Sequence, residues 1–215
     1  MSAPVRSVRS LSPRPVSEPR PAPPGASPPA VVAIGASMGG VTALQEVLGA
    51  LPAGLPAAVL VVQHLDPSRS SALAQILDRC GPLAVAEAAG GETLEAGRVY
   101  VAPPGRHLVM EPGGRLALSD APQVRHSRPS ADTLFLSVAE HARGPVVAVV
   151  LTGFQSDGSG GVDAVRARGG TVIAQDEATS QAFGMPGSAI ATGAVHHVLP
   201  LPEIAPMIVR LVETP

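Results

Sequence analysis

The sequence predicts a doubly wound α/β domain: a mostly parallel, Rossmann-like sheet with helices on both faces and an added β-hairpin. Three observations carry this. Short aliphatic runs alternate with stretches of helical period along most of the chain. Hydrophobic residues make up 45% of the chain, yet there is no Trp, one Tyr and three Phe, so Val, Leu, Ile and Ala must build the core. Such residues suit strands buried on both faces, as in parallel sheets. Polar residues then cluster where aliphatic runs end, which is where open α/β sheets place their sites.

The elements follow in order. Ala30–Ile34 reads as a short strand ending in Gly35-Ala36-Ser37-Met38-Gly39-Gly40, and Val41–Leu48 as a helix stopping near Gly49. Ala58–Gln63 is a second strand, followed by a helix from about Ser70 to Arg79. Arg98–Ala102 is a further strand. His107–Glu111 and Arg115–Ser119 alternate around Gly113-Gly114 as a hairpin. Ser130–Ala142 is an amphipathic helix capped by Ser127 or Ser130. Val146–Leu151 is the strongest strand. Gly160–Arg168 (helix), Thr171–Ala174 (strand), Pro186–Thr192 (helix), Ala194–Leu199 (strand) and Glu203–Val212 (helix) complete the alternation.

Residues 1–29 differ in composition. They hold nine Pro and four Arg with little to bury, so a disordered tail is expected there, ahead of a catalytic domain at 30–215.

Composition also excludes functions. All 15 basic residues are Arg; without Lys there is no P-loop lysine and no Schiff base. The net charge of −2 gives no pull toward nucleic acid. Cys80 is the single cysteine, so neither an intramolecular disulfide nor a cysteine-based zinc site is expected. His196-His197 point to opposite faces of a strand and cannot chelate one metal. No apolar run reaches a membrane span and no signal peptide is visible, so a cytoplasmic location without membrane insertion is expected.

Three strand ends carry candidate chemistry: Ser37, His64 and Asp157. Gly35-x-Ser37-x-Gly39 has the form of a nucleophile elbow, in which small residues let the backbone turn and expose the serine oxygen. The helix that follows offers free N–H groups to an oxyanion. A glycine-rich turn after a strand also cradles phosphates, and on the turn alone the two readings stand level. Against the phosphate reading, Gln63-His64, and no ribose-binding carboxylate, ends the next strand. His64 and Asp157 taken singly fit a strand-end polar residue and a loop residue. Together with Ser37 they are the parts of a triad.

These residues resemble the catalytic domain of the chemotaxis protein-glutamate methylesterases. The resemblance rests on Val32-Ala33-Ile34-Gly35-Ala36-Ser37-x-Gly39-Gly40, Val62-Gln63-His64 and Leu151-Thr152-Gly153-x-x-x-Asp157-Gly158. Ala102-Pro103-Pro104-Gly105-x-His107, Arg128-Pro129-Ser130-x-Asp132-x-Leu134-Phe135, Ala174-Gln175-Asp176-Glu177 and Gly184-Met185-Pro186 extend it from Val31 to Leu201. It implies a carboxylic ester hydrolase that hydrolyses glutamyl methyl esters on chemoreceptor cytoplasmic helices or related signalling proteins, and deamidates certain glutamines. The triad carries over as Ser37, His64 and Asp157, with no cofactor. The order Ser, His, Asp differs from that of the α/β-hydrolases. Met38, Gly39 and Phe154 are the expected oxyanion and substrate positions, with backbone donors at Met38 and near Phe154.

The chain departs from the family pattern at Met38, usually Thr, at Phe154-Gln155, often Met-Gly, and at Gly187, often Arg. Typical members also carry a receiver domain ahead of the esterase. Only about thirty residues precede Val31 here and the receiver's lysine is missing, so regulation in cis by a receiver is not expected. Two alternatives remain at this stage: a Rossmann-like nucleotide-binding module, and a receptor-binding scaffold without turnover.

Overall fold

A computed structural model of the chain describes residues 28–66 and 71–213. The tail expected at 1–29 lies outside the described residues except for Pro28 and Pro29.

Seven strands form one parallel sheet. β1 (Ala30–Ala36) is central, with β2 (Ala57–Gln63) on one side, then β4 (Arg98–Val101) and β3 (Ala84–Glu87). On its other side lie β7 (Val146–Val150), β8 (Thr171–Gln175) and β9 (His197–Leu199). β5 (His107–Glu111) and β6 (Arg115–Ser119) pair antiparallel as a separate hairpin. β1, β2 and β7 are aliphatic because both sheet faces are covered.

α1 (Gly40–Gly49), α2 (Leu73–Leu77) and α6 (Leu201–Glu213) pack on one face, around Ile34, Leu44, Val61 and Ile204. α3 (Ala131–His141), α4 (Ser159–Ala167) and α5 (Gly184–Ala191) cover the other, joined by the hairpin through Leu108, Met110 and Leu116. Phe135 of α3, fully buried, fills the centre of this second layer. Each such side chain contributes roughly 1.5–3 kcal/mol by leaving water.

The chain runs from β1 to β2, goes on to the edge strand β3 and comes back to β4 between them, then crosses to pair β7 with β1 and winds the other way. Ser37 follows β1, His64 follows β2 and Asp157 lies in the loop after β7, so all three gather at this topological switch point.

Three elements differ from expectation. β3 was not foreseen. Its Ala-Val-Ala-Glu run is short and half-exposed at the sheet edge, so it lacks an aliphatic signature. α2 covers only Leu73–Leu77 of the helix expected from Ser70 to Arg79. β9 is confined to His197–Leu199, because the edge strand pairs with β8 only from Ile173↔His197 to Gln175↔Leu199. Ser130, not Ser127, caps α3, its hydroxyl accepting from Thr133 N–H.

Candidate active site

The turn after β1 is fixed from several directions. Ser37 N–H donates to Thr152 O (2.9 Å), and its carbonyl accepts from Gly40 N–H (2.9 Å) and Gln63 Nε2 (2.8 Å). Thr152 Oγ1 holds the carbonyl of Met38 at 2.9 Å. Gly39 takes φ 77°, the left-handed region that favours glycine, and leads into α1. Among the described residues, neither Met38 N–H nor Phe154 N–H donates a hydrogen bond.

The glycines here are needed for packing within the chain. A Cβ on Gly39 would meet Gln181, and one on Gly40 would meet Gln63 and Ala36. Packing against Gln181, Gln63 and Ala36 thus accounts for both glycines without a bound phosphate.

His64 begins where β2 ends, and its N–H donates to Ala36 O at 3.0 Å, joining the two strand ends. Its ring is mostly covered, with Nε2 2.7 Å from Asp157 Oδ2. Asp157 is completely buried. Its Oδ1 accepts from Ser130 Oγ (2.8 Å), Asp132 N–H (3.0 Å) and Gly158 N–H (3.1 Å), and its Oδ2 from Ala131 N–H (2.7 Å). The carboxylate therefore sits on the positive N-terminal end of α3.

Burial pushes the Asp157 carboxyl upward. The hydrogen bonds from His64, from the N–H groups of Asp132 and Ala131 and from the Ser130 hydroxyl outweigh burial and hold it below its ordinary value. An ionised carboxylate only accepts, so the His64 proton resides on Nε2 and the lone pair on Nδ1. Nδ1 lies 3.4 Å from Ser127 Oγ. Among the described residues no hydrogen bond joins the Ser37 hydroxyl to His64. Free enzymes often hold such contacts long.

Ser37, Met38, Gly39, His64 and Phe154 line one cleft of about 320 Å³, with Met38 and Phe154 as exposed apolar lips (46% and 58% accessible). The structure thus brings five of the expected site residues onto one surface and puts Asp157 behind His64.

The sequence assigned no site role to three contributors: Ser127 and Ser130, read as alternative caps of the helix, and Asp132, which with Ser130 belongs to the family motif. Asp132 Oδ1 accepts from Gly160 and Gly161 N–H at the start of α4 (2.9 and 2.8 Å), and Oδ2 from Arg125 Nε (3.0 Å). The signal lay in Ser130-x-Asp132, two acceptors at a helix start that faces the Asp157 loop. Of the other histidines, His107 is fully buried with Nε2 on Pro122 O at 3.1 Å, and His196 Nδ1 accepts from Val172 N–H at 3.0 Å. His126 borders a second cleft beside His64.

Among the described residues, no group of three or more His, Cys, Asp or Glu is placed to hold a metal ion. No helix there is long and apolar enough to cross a membrane.

Fold and site together define a doubly wound α/β domain with Ser37, His64 and Asp157 gathered at its switch point. Residues 32–208 match the family model described as CheB methylesterase. The chain belongs to that family. It is 48% identical over 187 residues to protein-glutamate methylesterase/protein-glutamine glutaminase 1 of Myxococcus xanthus (strain DK1622), covering 86% of this chain and 54% of the relative. It is 46% identical over 193 residues to protein-glutamate methylesterase/protein-glutamine glutaminase 2 of Burkholderia pseudomallei (strain 1710b), covering 90% and 56%. The chain spans about half the length of the curated relatives it matches. The crystal structure of the Thermotoga maritima CheB methylesterase catalytic domain superposes with a TM-score of 0.82 at 37% identity, covering 87% of this chain and all of that one.

Proposed function

We propose that residues 30–215 form a serine-type protein-glutamate methylesterase that hydrolyses glutamyl methyl esters on chemoreceptor helices or related signalling proteins in the cytoplasm. The observation that carries this reading is the 2.7 Å His64–Asp157 contact at a cleft that also holds Ser37.

In this reading His64 Nδ1 takes the proton from Ser37 Oγ as the oxygen attacks the ester carbonyl. Asp157 keeps the other ring proton on Nε2 and stabilises the imidazolium. The free N–H groups of Met38 and Phe154 receive the oxyanion, each contributing about 3 kcal/mol. His64 then protonates the departing methoxide, and water repeats the cycle on the glutamyl-enzyme. A glutamine carboxamide enters the same sequence with ammonia as leaving group, so deamidation needs no further residue. The named activities of the relatives, methylesterase and glutaminase, support both reactions.

The test is a fluorophosphonate label with peptide mapping, together with methanol release from a methyl-esterified receptor-helix peptide. The label is expected on Ser37 and turnover is expected to vanish in Ser37→Ala. A label elsewhere, or turnover that survives the substitution, overturns the reading.

A further inference from the structure

His64 borders a second cleft, of about 210 Å³, that shares no other lining residue with the first. Gln123, His126, Ser127 and Arg128 also line it. Every one of these polar side chains can donate a hydrogen bond, and among the described residues no carboxylate lines the cleft.

Charge in the surrounding loop is unevenly matched. Asp120 is bound by Arg106 through Nε (2.9 Å) and Nη2 (3.0 Å), and Asp132 by Arg125. Both acidic groups are thereby committed to other arginines. Arg128 makes no ion pair among the described residues. Its Nη1 reaches only the carbonyls of Asp120 (2.9 Å) and Ala121 (3.1 Å), and its Nε is buried without a partner. A guanidinium that no carboxylate neutralises among the described residues, beside the donors of Gln123 and His126 in a concave site, suits a carboxylate.

The loop is also built to stay in place. Arg125 and His126 hold φ of 48° and 63°, a region non-glycine residues rarely adopt. Arg125 anchors the segment through Asp132 and through Ser156 Oγ at 2.8 Å. Backbone strain of this kind persists only where surrounding bonds enforce it. Here it presents His126, Ser127 and Arg128 to the cleft.

We propose that this cleft is a carboxylate subsite, read chiefly by Arg128, adjoining the reacting centre through His64. It rests on the esterase reading only for the source of its ligand. That source is either an acidic side chain next to the ester on the substrate helix or the carboxylate of the product.

The experiment uses the full chain and two synthetic helical peptides, each with one glutamyl methyl ester, differing only in Glu or Gln at a neighbouring position. Glutarate serves as a free carboxylate probe. Arg128 itself clips the loop backbone, so the chosen variant is Gln123→Glu, which puts a competing carboxylate in the cleft and leaves that clip intact. The Glu peptide should exceed the Gln peptide in kcat/KM by about 10-fold, the size of one charge-assisted hydrogen bond. Gln123→Glu should collapse that ratio, which identifies a substrate side chain as the ligand. If the ratio is near one but glutarate inhibition is present and lost in Gln123→Glu, the ligand is the product carboxylate. If neither peptide turns over, the esterase reading fails by itself. Glutarate binding to Ser37→Ala by calorimetry, weakened at least 10-fold by adding Gln123→Glu, still reads the subsite. Unchanged ratio, inhibition and binding in a variant of normal Tm overturn the proposal.

Discussion

Asp132 and Asp157 exchange helix N-termini. Asp157 lies just before α4 and places its carboxylate on the N–H groups of Ala131 and Asp132 in α3. Asp132, in the first turn of α3, places its own on Gly160 and Gly161 in α4. Each carboxylate meets the positive end of the partner helix, so the two helices and the His64 partner are registered as one unit. Removing Asp132 leaves the α4 N-terminus unsatisfied and frees Arg125. Asp132→Ala should therefore lose about 2 kcal/mol of stability. Turnover should fall as well, because Asp157 sits on the same register. A denaturant midpoint matching the parent would disprove this coupling.

Asp157→Asn tests the His64 partner directly. An amide donates where the carboxylate only accepts, so it opposes the N–H groups of Ala131 and Asp132 and allows the wrong His64 tautomer. In other triads such a change costs about 10⁴ in rate. A comparable loss in kcat is expected, with Tm lowered by the repelled donors. Near-parental kcat in a folded variant would remove Asp157 from the mechanism.

The strand-end residues were legible because a parallel sheet reveals itself through aliphatic runs, and whatever interrupts a run at its end stands out. Ser37 and His64 were found that way, and the hairpin through alternation around Gly113-Gly114. The segment 120–129 was not legible. Its geometry comes from Arg106, Arg125 and Arg128 binding partners in Asp120, Ala121, Asp132 and Ser156, pairings set by tertiary contact and not by period. The cleft beside His64 was missed for that reason, as was the exposed edge strand β3.

The lowered Asp157 carboxyl makes stability depend on acid in one direction. With the folded value below the unfolded one, the contribution is fully present above the ordinary carboxylate range, about pH 4. It is lost as pH falls through the folded value. The acid limb of an unfolding midpoint against pH should therefore flatten in Asp157→Asn relative to the parent. Identical acid limbs would show that Asp157 carries no such linkage.

Gly153 offers the sharpest test of how Ser37 is positioned. It is tied on both sides, its N–H to Ala182 O and its carbonyl to Met185 N–H, each at 2.9 Å. A Cβ there would overlap Met185 Sδ and come within 2.8 Å of Ser37 Cβ. The Met185 side chain can swing away, but Ser37 Cβ is held by a turn bonded to Thr152 and Gln63. Overpacking of this kind costs about 1–3 kcal/mol. Displacing a reacting atom by about 1 Å costs on the order of 10²-fold in rate. Gly153→Ala should thus lose both stability and kcat. Adding Met185→Ala separates the two effects, since it removes the first overlap and leaves the second. Because Met185 is fully buried, its truncation costs about 2–5 kcal/mol by itself, so the reference is Met185→Ala alone: against it Gly153→Ala should lower Tm less than it does in the parent, while kcat stays low. If kcat recovers together with Tm, the contact with Ser37 is not what limits the reaction, and the rate loss belongs to core strain around Met185.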